Sequence, residues 1–157
     1  MNKRIIGREA KDAPPPEREW LALEDLVQVE VTSEDPTHPI ESGLLPNRES
    51  GWRAAEPGPQ IVRLVFDQPQ RIKHVHLEFR EHELTRTQQF LLRWSSDGGH
   101  SYSEIVRQQY NFSPPRTTEE REDYSLAIDR VTSFELSIIP DISGGPACAS
   151  LQQLRIA

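Results

Sequence analysis

The feature that most limits the fold is a pair of strand-like runs on either side of Asp97-Gly98-Gly99, within residues 90–106. Asp-Gly supplies the positive φ angles that a tight turn between twisted antiparallel strands requires. Phe90, Leu92 and Trp94 occupy alternate positions, so their side chains share one face of a strand. The stretch therefore predicts a β-hairpin with a buried face, and these three residues are expected in the core.

Similar alternation of apolar and polar residues occurs along much of the chain. The other predicted strands are residues 26–32, 61–66, 72–79, 124–128 and 133–139, with a closing strand marked by Leu151, Leu154 and Ile156. Glycine and proline separate these short runs, and no long helical pattern interrupts them. The pattern predicts an all-β sandwich of antiparallel strands.

The alternation also assigns faces and loops. A turn is expected at Asp67–Gln70, and a solvated charged loop at residues 117–123. In strand 72–79 the side chains of Val75, Leu77 and Phe79 are predicted to point inward. The opposite face, formed by His74, His76, Glu78 and Arg80, is predicted to be exposed to solvent or covered by a partner. Trp52, which follows Gly51, is expected in the core rather than on a ligand platform.

Length and charge limit the domain count and the class of partner. A chain of 157 residues fits one domain, with residues 1–19 as a flexible, proline-containing leader and residues 20–157 as the folded part. A net charge of -7 argues against nucleic acid as a partner, because phosphate neutralisation needs a basic surface. Ile5-Ile6 is too short for a signal peptide, and no run reaches membrane-spanning length, so the chain is predicted to be cytoplasmic without membrane insertion.

Several segments, in a fixed order, resemble a known family. They are residues 32–35, 38–43, Gly51-Trp52, 60–72, 96–102 and 149–156. Their order over residues 26–157 resembles the discoidin or coagulation-factor type C family, also called galactose-binding-like domains. The resemblance implies a jelly-roll β-sandwich of about eight antiparallel strands that binds a ligand and is not an enzyme.

The resemblance also implies that a ligand is held by loops at one end of the sandwich, here near residues 38–53, 80–88 and 110–118. Polar planar groups in such loops can bond sugar hydroxyls, and an aromatic ring can pack on the sugar C–H face. Residues of these types within the loops are the candidate ligand-binding set: Asn47, Arg48, His82, Arg86, Tyr110, Asn111 and Phe112.

A structural calcium ion near the first long loop is a further feature of the family. Here Ser42 stands where an aspartate precedes the loop glycine, and Gln152 and Gln153 stand where a glutamate is common. Glu41 and Ser50 remain as possible oxygen ligands. We therefore predict no cofactor, with structural calcium left open, and assign no catalytic or metal-ligating residue.

Two functional hypotheses remain. The first is a carbohydrate-binding module for a sugar or glycan-like ligand. The alternative is an intracellular protein–protein interaction domain that acts as a subunit of a larger assembly. No phosphate loop, zinc spacing or nucleophile elbow suggests catalysis. Cys148 cannot form an intrachain disulfide because it is the single cysteine, and it is expected to be a small buried residue.

Overall fold

The computed structural model describes residues 19–157, so the predicted leader lies outside the described residues except for Glu19. Two short helices are present, α1 (Leu23–Leu26) and α2 (Glu41–Leu44), and neither helix is long enough to cross a membrane. The strands are β1 (Val27–Val31), β2 (Trp52–Pro57), β3 (Gln60–Arg80), β4 (Arg86–Ser95), β5 (Ser103–Phe112), β6 (Glu119–Ile139), β7 (Cys148–Leu151) and β8 (Gln153–Ile156). The predicted eight-stranded antiparallel sandwich is confirmed.

The long strands β3 and β6 contribute to both layers of the sandwich. In the first layer, the first part of β3 pairs with β1 and with the end of β6. The end of β6 also pairs with β4, and β4 pairs with β5. The last part of β3 pairs with β8 and with the start of β6. Strands β2 and β7 form a separate pair. Register shifts between Val65 and His74 mark the bend between the two parts, since bulges increase local twist and redirect a strand.

The predicted division of β3 into two strands was wrong. Asp67–Gln70 does not reverse the chain but lies within the single strand β3. The buried apolar positions are even-numbered up to Ile72 and odd-numbered from Val75 onward, so the faces change at the last of the register shifts, between Ile72 and His74. A bulge inserts an extra residue and so exchanges the two faces of a strand. The predicted gap between residues 124–128 and 133–139 also lies within one strand, β6, where Arg130 has a positive φ of 60°.

The hairpin of β4 and β5 is present, but its connection spans residues 96–102 rather than a tight turn. The Asp97 carboxylate closes this connection by accepting hydrogen bonds from the Ser101 amide at 2.9 Å and the Ser95 hydroxyl at 2.6 Å. The hydrogen bond from the Ser101 hydroxyl, together with these two bonds, holds the pKa of the Asp97 carboxyl well below its usual range. Phe90 is buried in the core, whereas Trp94 is only partly buried against it.

The core holds the other inward residues that alternation predicts. Phe79 stacks on Phe90 with ring centroids 5.4 Å apart, which joins the second layer to the hairpin. Trp52 is 1% exposed, in agreement with its predicted core position. Such buried rings contribute much of the hydrophobic stabilisation, because each removes a large apolar area from water.

The outer face of β3 was predicted to be exposed to solvent or covered by a partner, but His76 and Glu78 are buried within the chain itself. The His76 side chain is buried, with Nδ1 2.8 Å from Asp123 Oδ1 and Nε2 3.0 Å from Glu78 Oε2. The Trp20 ring lies 6.4 Å from the imidazole ring and covers it. The N-terminal part of the domain therefore packs over this face, and two carboxylates satisfy the buried imidazole.

We expect this histidine to make stability depend on pH. Burial would lower the pKa of His76, but the hydrogen bonds and charges of Glu78 and Asp123 outweigh it and raise the pKa above 6.5. A raised pKa in the folded state stabilises the protein below the unfolded pKa, and this contribution is lost as pH rises through the folded value. Urea unfolding from about pH 6 to pH 9 should show this loss in the wild type but not in His76→Gln.

Comparison of the wild type with His76→Gln separates the contribution of His76 to this pH dependence from the contributions of other titrating groups. Glu120 is buried with a raised pKa and also disfavours the folded state as pH rises, in both proteins alike. The His76 assignment would be contradicted by identical pH profiles of the free energy of unfolding for wild type and His76→Gln.

Candidate functional site

Three loops meet at one end of the sandwich. The first, between β1 and β2, is fixed by hydrogen bonds from the Arg53 amide to the His38 carbonyl at 3.1 Å and from the Asp35 amide to the Arg53 carbonyl at 2.8 Å. The loops after β3 and β5 are joined by a bond from the Glu81 amide to the Thr118 carbonyl at 2.8 Å. The predicted grouping of loops is thus present, on rigid strand ends.

A cleft of about 260 Å³ lies between the first two loops and strand β7, and we call it the loop-end cleft. This volume is close to the lower end of the range for small-molecule sites. Its polar lining residues are His38, Ser50, Arg53, Arg80, Glu81, His82, Glu83, Ser150 and Gln152. Trp52 forms part of the wall but is buried, so the cleft offers hydrogen bonds and charge rather than an aromatic platform.

The charged groups of the cleft differ in how far they are already paired. Arg80 lies 4.0 Å from Glu78 and 3.7 Å from Glu119. Within the described part of the chain, Arg53 and His82 have no carboxylate within ion-pair distance. Arg53 is therefore the cationic group most available to a ligand, and the His82 imidazole lies free of carboxylates beside it.

Glu81 is held by the protein itself. Its carboxylate accepts from Arg86 Nε at 2.6 Å and from the amides of Glu83 and Leu84 at 3.1 and 3.3 Å. Burial would raise the pKa of Glu81, but these hydrogen bonds outweigh it and lower the pKa. The carboxylate thus stays ionised and shapes the loop that presents His82.

Of the candidate residues from the sequence, only His82 lines the loop-end cleft. Arg48 lines an adjoining depression that shares Arg80 and Gln152 with the cleft. Asn47 is exposed on the same loop and has a positive φ of 64°. These residues lie on the predicted end of the sandwich, and Arg48 can reach a ligand that extends beyond the cleft.

Arg86 and Phe112 lie in the interior and are left out of the candidate site. Arg86 is 4% exposed, bonds Glu81 and the Pro140 carbonyl, and lies 4.7 Å over the Phe112 ring. Phe112 is fully buried. Both are strand residues whose inward orientation the loop assignment did not consider, and they stabilise the base of the loops.

Tyr110 and Asn111 lie outside the loop-end cleft as well. The Tyr110 hydroxyl donates to the Glu119 carbonyl at 2.8 Å, and its ring forms part of a separate cleft beside β5. Asn111 is exposed, and its Oδ1 accepts from the Thr87 hydroxyl at 2.7 Å. The predicted aromatic platform and the predicted polar residues are therefore not brought together.

Sequence reasoning missed Arg53, Arg80 and residues of β7 and the β7–β8 junction. A signal for Arg53 existed, because it follows the inward Trp52 in a strand and must point to the other face. Arg80 is the last residue of β3, where the strand emerges at the loop end. No local signal could have found Ser150 and Gln152, since only the pairing of β2 with β7 brings them there.

The residues at the expected calcium position do not fit a calcium ion. Gln152 Nε2 donates to the Glu49 carbonyl at 2.5 Å, which ties the first loop to the β7–β8 junction without a metal. Calcium requires several oxygen ligands, but here an N–H donor approaches the carbonyl. Within residues 19–157 no group of three or more histidine, cysteine, aspartate or glutamate side chains could hold a metal ion.

Comparison with known proteins gives a similar architecture at low sequence identity. No family model and no curated protein sequence matches the chain. The family 32 carbohydrate-binding module of Clostridium perfringens NanJ, solved in complex with galactose, superposes with a TM-score of 0.63 at 12% identity, covering 87% of this chain and 96% of that one. The same sandwich therefore occurs in both proteins. The chain has the galactose-binding-like fold.

Two further solved structures share this galactose-binding-like architecture. The family 32 module of AlyQ, in complex with 4,5-unsaturated mannuronic acid, has a TM-score of 0.62 at 19% identity over 85% of this chain and 95% of that one. Reduced XRCC1 bound to the DNA polymerase β catalytic domain has a TM-score of 0.58 at 15% identity over 84% and 97%. Identities this low show the fold alone.

Proposed function

We propose that the protein is a non-catalytic, discoidin-type module that binds a carbohydrate in the loop-end cleft. The observation that carries the proposal is the cleft itself, in which Arg53 and His82 are available beside the amide of Gln152 and the hydroxyl of Ser150. Sugar hydroxyls and carboxylates accept or donate hydrogen bonds in fixed directions, and these side chains supply both donors and acceptors.

The position of the cleft supports the same proposal. Binding residues are commonly presented by loops on a rigid scaffold, and β2, β3 and β7 hold this cleft at their ends. Galactose and an unsaturated mannuronic acid are the ligands named for two solved proteins of this architecture. The available Arg53 and His82 favour a sugar with a carboxylate group, because charge-assisted hydrogen bonds are stronger than neutral ones.

We expect galacturonic acid to bind and Arg53→Ala to weaken its affinity at least about ten-fold, since a hydrogen bond to a charged group contributes about 1.5–3 kcal/mol. His82→Ala should have a smaller effect, because an imidazole offers fewer hydrogen-bond donors than the guanidinium fork of arginine. Titration followed by NMR should place the chemical-shift changes at residues 80–84 and 150–152.

A matched control is Arg71→Ala, which removes an exposed arginine that pairs with Asp129 outside the cleft. This variant should bind galacturonic acid as the wild type does. Equal losses of galacturonic acid affinity in Arg53→Ala and Arg71→Ala would mean that binding depends only on the net charge of the protein. The proposed function would be contradicted if the NMR chemical shifts stayed unchanged on addition of every common hexose, hexosamine and uronic acid.

A protein partner is the alternative outcome of the same experiments. If the protein retains a stoichiometric protein partner in a pulldown from the native cell and binds none of the sugars tested, an interaction domain is favoured. Loss of that partner in Arg53→Ala would assign the loop end as its binding surface.

A further inference from the structure

A second cleft, of about 520 Å³, lies along one side of the sandwich, and we call it the edge cleft. One side of the cleft is β5, the edge strand of the first layer. The other side is the first part of β6, which pairs only with β3. Its lining residues include Gln108, Tyr110, Arg116, Thr117, Glu120 and Glu122. It has no lining residue in common with the loop-end cleft.

A buried carboxyl group faces into the edge cleft. Glu120 is 2% exposed, and its Oε1 accepts from Gln88 Nε2 at 3.3 Å. Its Oε2 is buried without a hydrogen-bond partner among the described residues. A buried acceptor without a partner is costly, so this atom marks a position where a donor is needed.

Glu122 adds a second carboxyl group on the same face of β6, because alternate strand residues point the same way. Its Oε2 accepts from the Tyr124 hydroxyl at 3.3 Å. Two neighbouring carboxyl groups that are partly removed from water do not both ionise readily. Burial first, and then the hydrogen bond and charge of Glu122, raise the pKa of Glu120 to about 8, against the opposing effects of Gln88 and Arg86.

The nearby arginines each have other partners. Arg86, on β4, bonds Glu81, Gln88 and the Pro140 carbonyl, and its charge opposes the rise in the pKa of Glu120. Arg121 also lines the cleft, and its Nε lies 2.9 Å from Glu119 Oε1 and 3.4 Å from Glu78 Oε1. Arg116 is exposed at the rim of the cleft. Glu120 Oε2 is therefore the acceptor in this cleft that a ligand cation can satisfy.

We propose that the edge cleft binds a polyhydroxylated primary amine, such as an amino sugar, whose ammonium group donates to the carboxyl groups of Glu120 and Glu122. An ammonium group carries three N–H donors and no acceptor, which matches two carboxylates. The side-chain amide of Gln108 also lines the cleft and suits ligand hydroxyls. The Tyr110 ring supplies an apolar surface for the C–H groups of a sugar ring.

The test is a titration of the whole chain with glucosamine and, separately, N-acetylglucosamine, followed by NMR. Glucosamine should shift signals of residues 108–122 and bind at least about ten-fold more tightly than N-acetylglucosamine, which lacks the ammonium group. Glu120→Gln and Glu122→Gln should each weaken glucosamine binding by about ten-fold. Glu104→Gln, which changes an exposed carboxylate on β5, should leave binding unchanged.

The pH dependence gives a second readout that a purely structural role of Glu120 would not produce. Because Glu120, whose pKa is raised to about 8, must lose its proton to accept from the ammonium group, affinity should rise by up to about ten-fold between pH 6 and pH 7. Glu120→Gln should remove this rise. Glu120→Gln removes a buried acid and Glu122→Gln a partly buried one, so both variants should fold, as thermal unfolding can verify.

Three outcomes would overturn the proposal. The first is equal affinity for glucosamine and N-acetylglucosamine. The second is that glucosamine changes the NMR shifts of residues 80–84 and 150–152 but not those of residues 108–122. The third is a glucosamine affinity that does not change with pH. Ethylamine distinguishes the ammonium group from the hydroxyl groups: weaker binding at residues 108–122 supports the proposal, whereas binding as tight as that of glucosamine overturns the amino-sugar assignment. The loop-end cleft can fail or succeed independently, because Arg53→Ala leaves the edge cleft intact.

Discussion

Replacement of Trp52 by alanine is expected to lower the free energy of unfolding by about 3–5 kcal/mol, the usual loss for a fully buried large aromatic side chain. Trp52 is 1% exposed, and its Nε1 donates to the Ser33 carbonyl at 3.1 Å. The residue joins β2 to β7, since it pairs with Leu151, and packs close to Gly43 of α2. Urea unfolding followed by far-UV circular dichroism measures the change.

Trp52→Phe separates packing from the hydrogen bond. Phenylalanine keeps an aromatic ring but leaves the Ser33 carbonyl without its indole donor, so a smaller loss of about 1–3 kcal/mol is expected. If Trp52→Ala retained nearly full stability but lost carbohydrate binding, Trp52 would be a ligand platform rather than a core residue.

The second large effect is expected at Glu135, on the outer face of the first layer. Its side chain is 0% exposed, with Oε2 2.9 Å from Arg63 Nε and Oε1 2.6 Å from Arg93 Nη2. The hydrogen bond to Glu30, followed by that to Glu135, raises the pKa of Arg63, so the guanidinium stays charged. One buried carboxylate thus connects strands β3, β6 and β4.

Glu135→Ala should lower the free energy of unfolding by about 2–3 kcal/mol, which urea unfolding measures. A fully buried pair loses about 3–5 kcal/mol when one partner is removed, but the arginines that remain here can be rehydrated because they are partly exposed. Glu135→Gln keeps the volume and one acceptor and should lose about half as much. A loss equal to that of exposed Glu104→Gln would show that the network contributes nothing to stability.

The fold followed from the sequence because strand periodicity is local. Val62, Leu64, Leu77 and Phe79 are buried as their alternation predicts. The change of buried positions from even to odd numbers along β3 was visible in the sequence, but proline and polar residues at 67–70 were interpreted as a turn. A bulge and a turn have similar compositions, and only pairing with β6 distinguishes them.

The candidate site followed from the sequence only in part. The predicted loop regions do lie together at one end of the sandwich, but a loop range does not state which side chains face a shared cleft. Arg86 was taken as a ligand-binding residue because it falls in a predicted loop, yet it is buried where Glu81 and a backbone carbonyl bond it. His76 was taken as solvated or covered by a partner because it alternates with inward residues, and Glu78 and Asp123 make its burial possible.

The sequence by itself determined the all-β class, the strand faces and the order of the loops, because side-chain alternation and turn residues act over a few neighbouring positions. The tertiary structure alone decided which groups meet. Pairing of β2 with β7 places Arg53 beside Ser150, and the packing of the two layers places Gln88 of β4 against Glu120 of β6. Contacts of this kind depend on strand pairing across long sequence separations, which local periodicity does not specify.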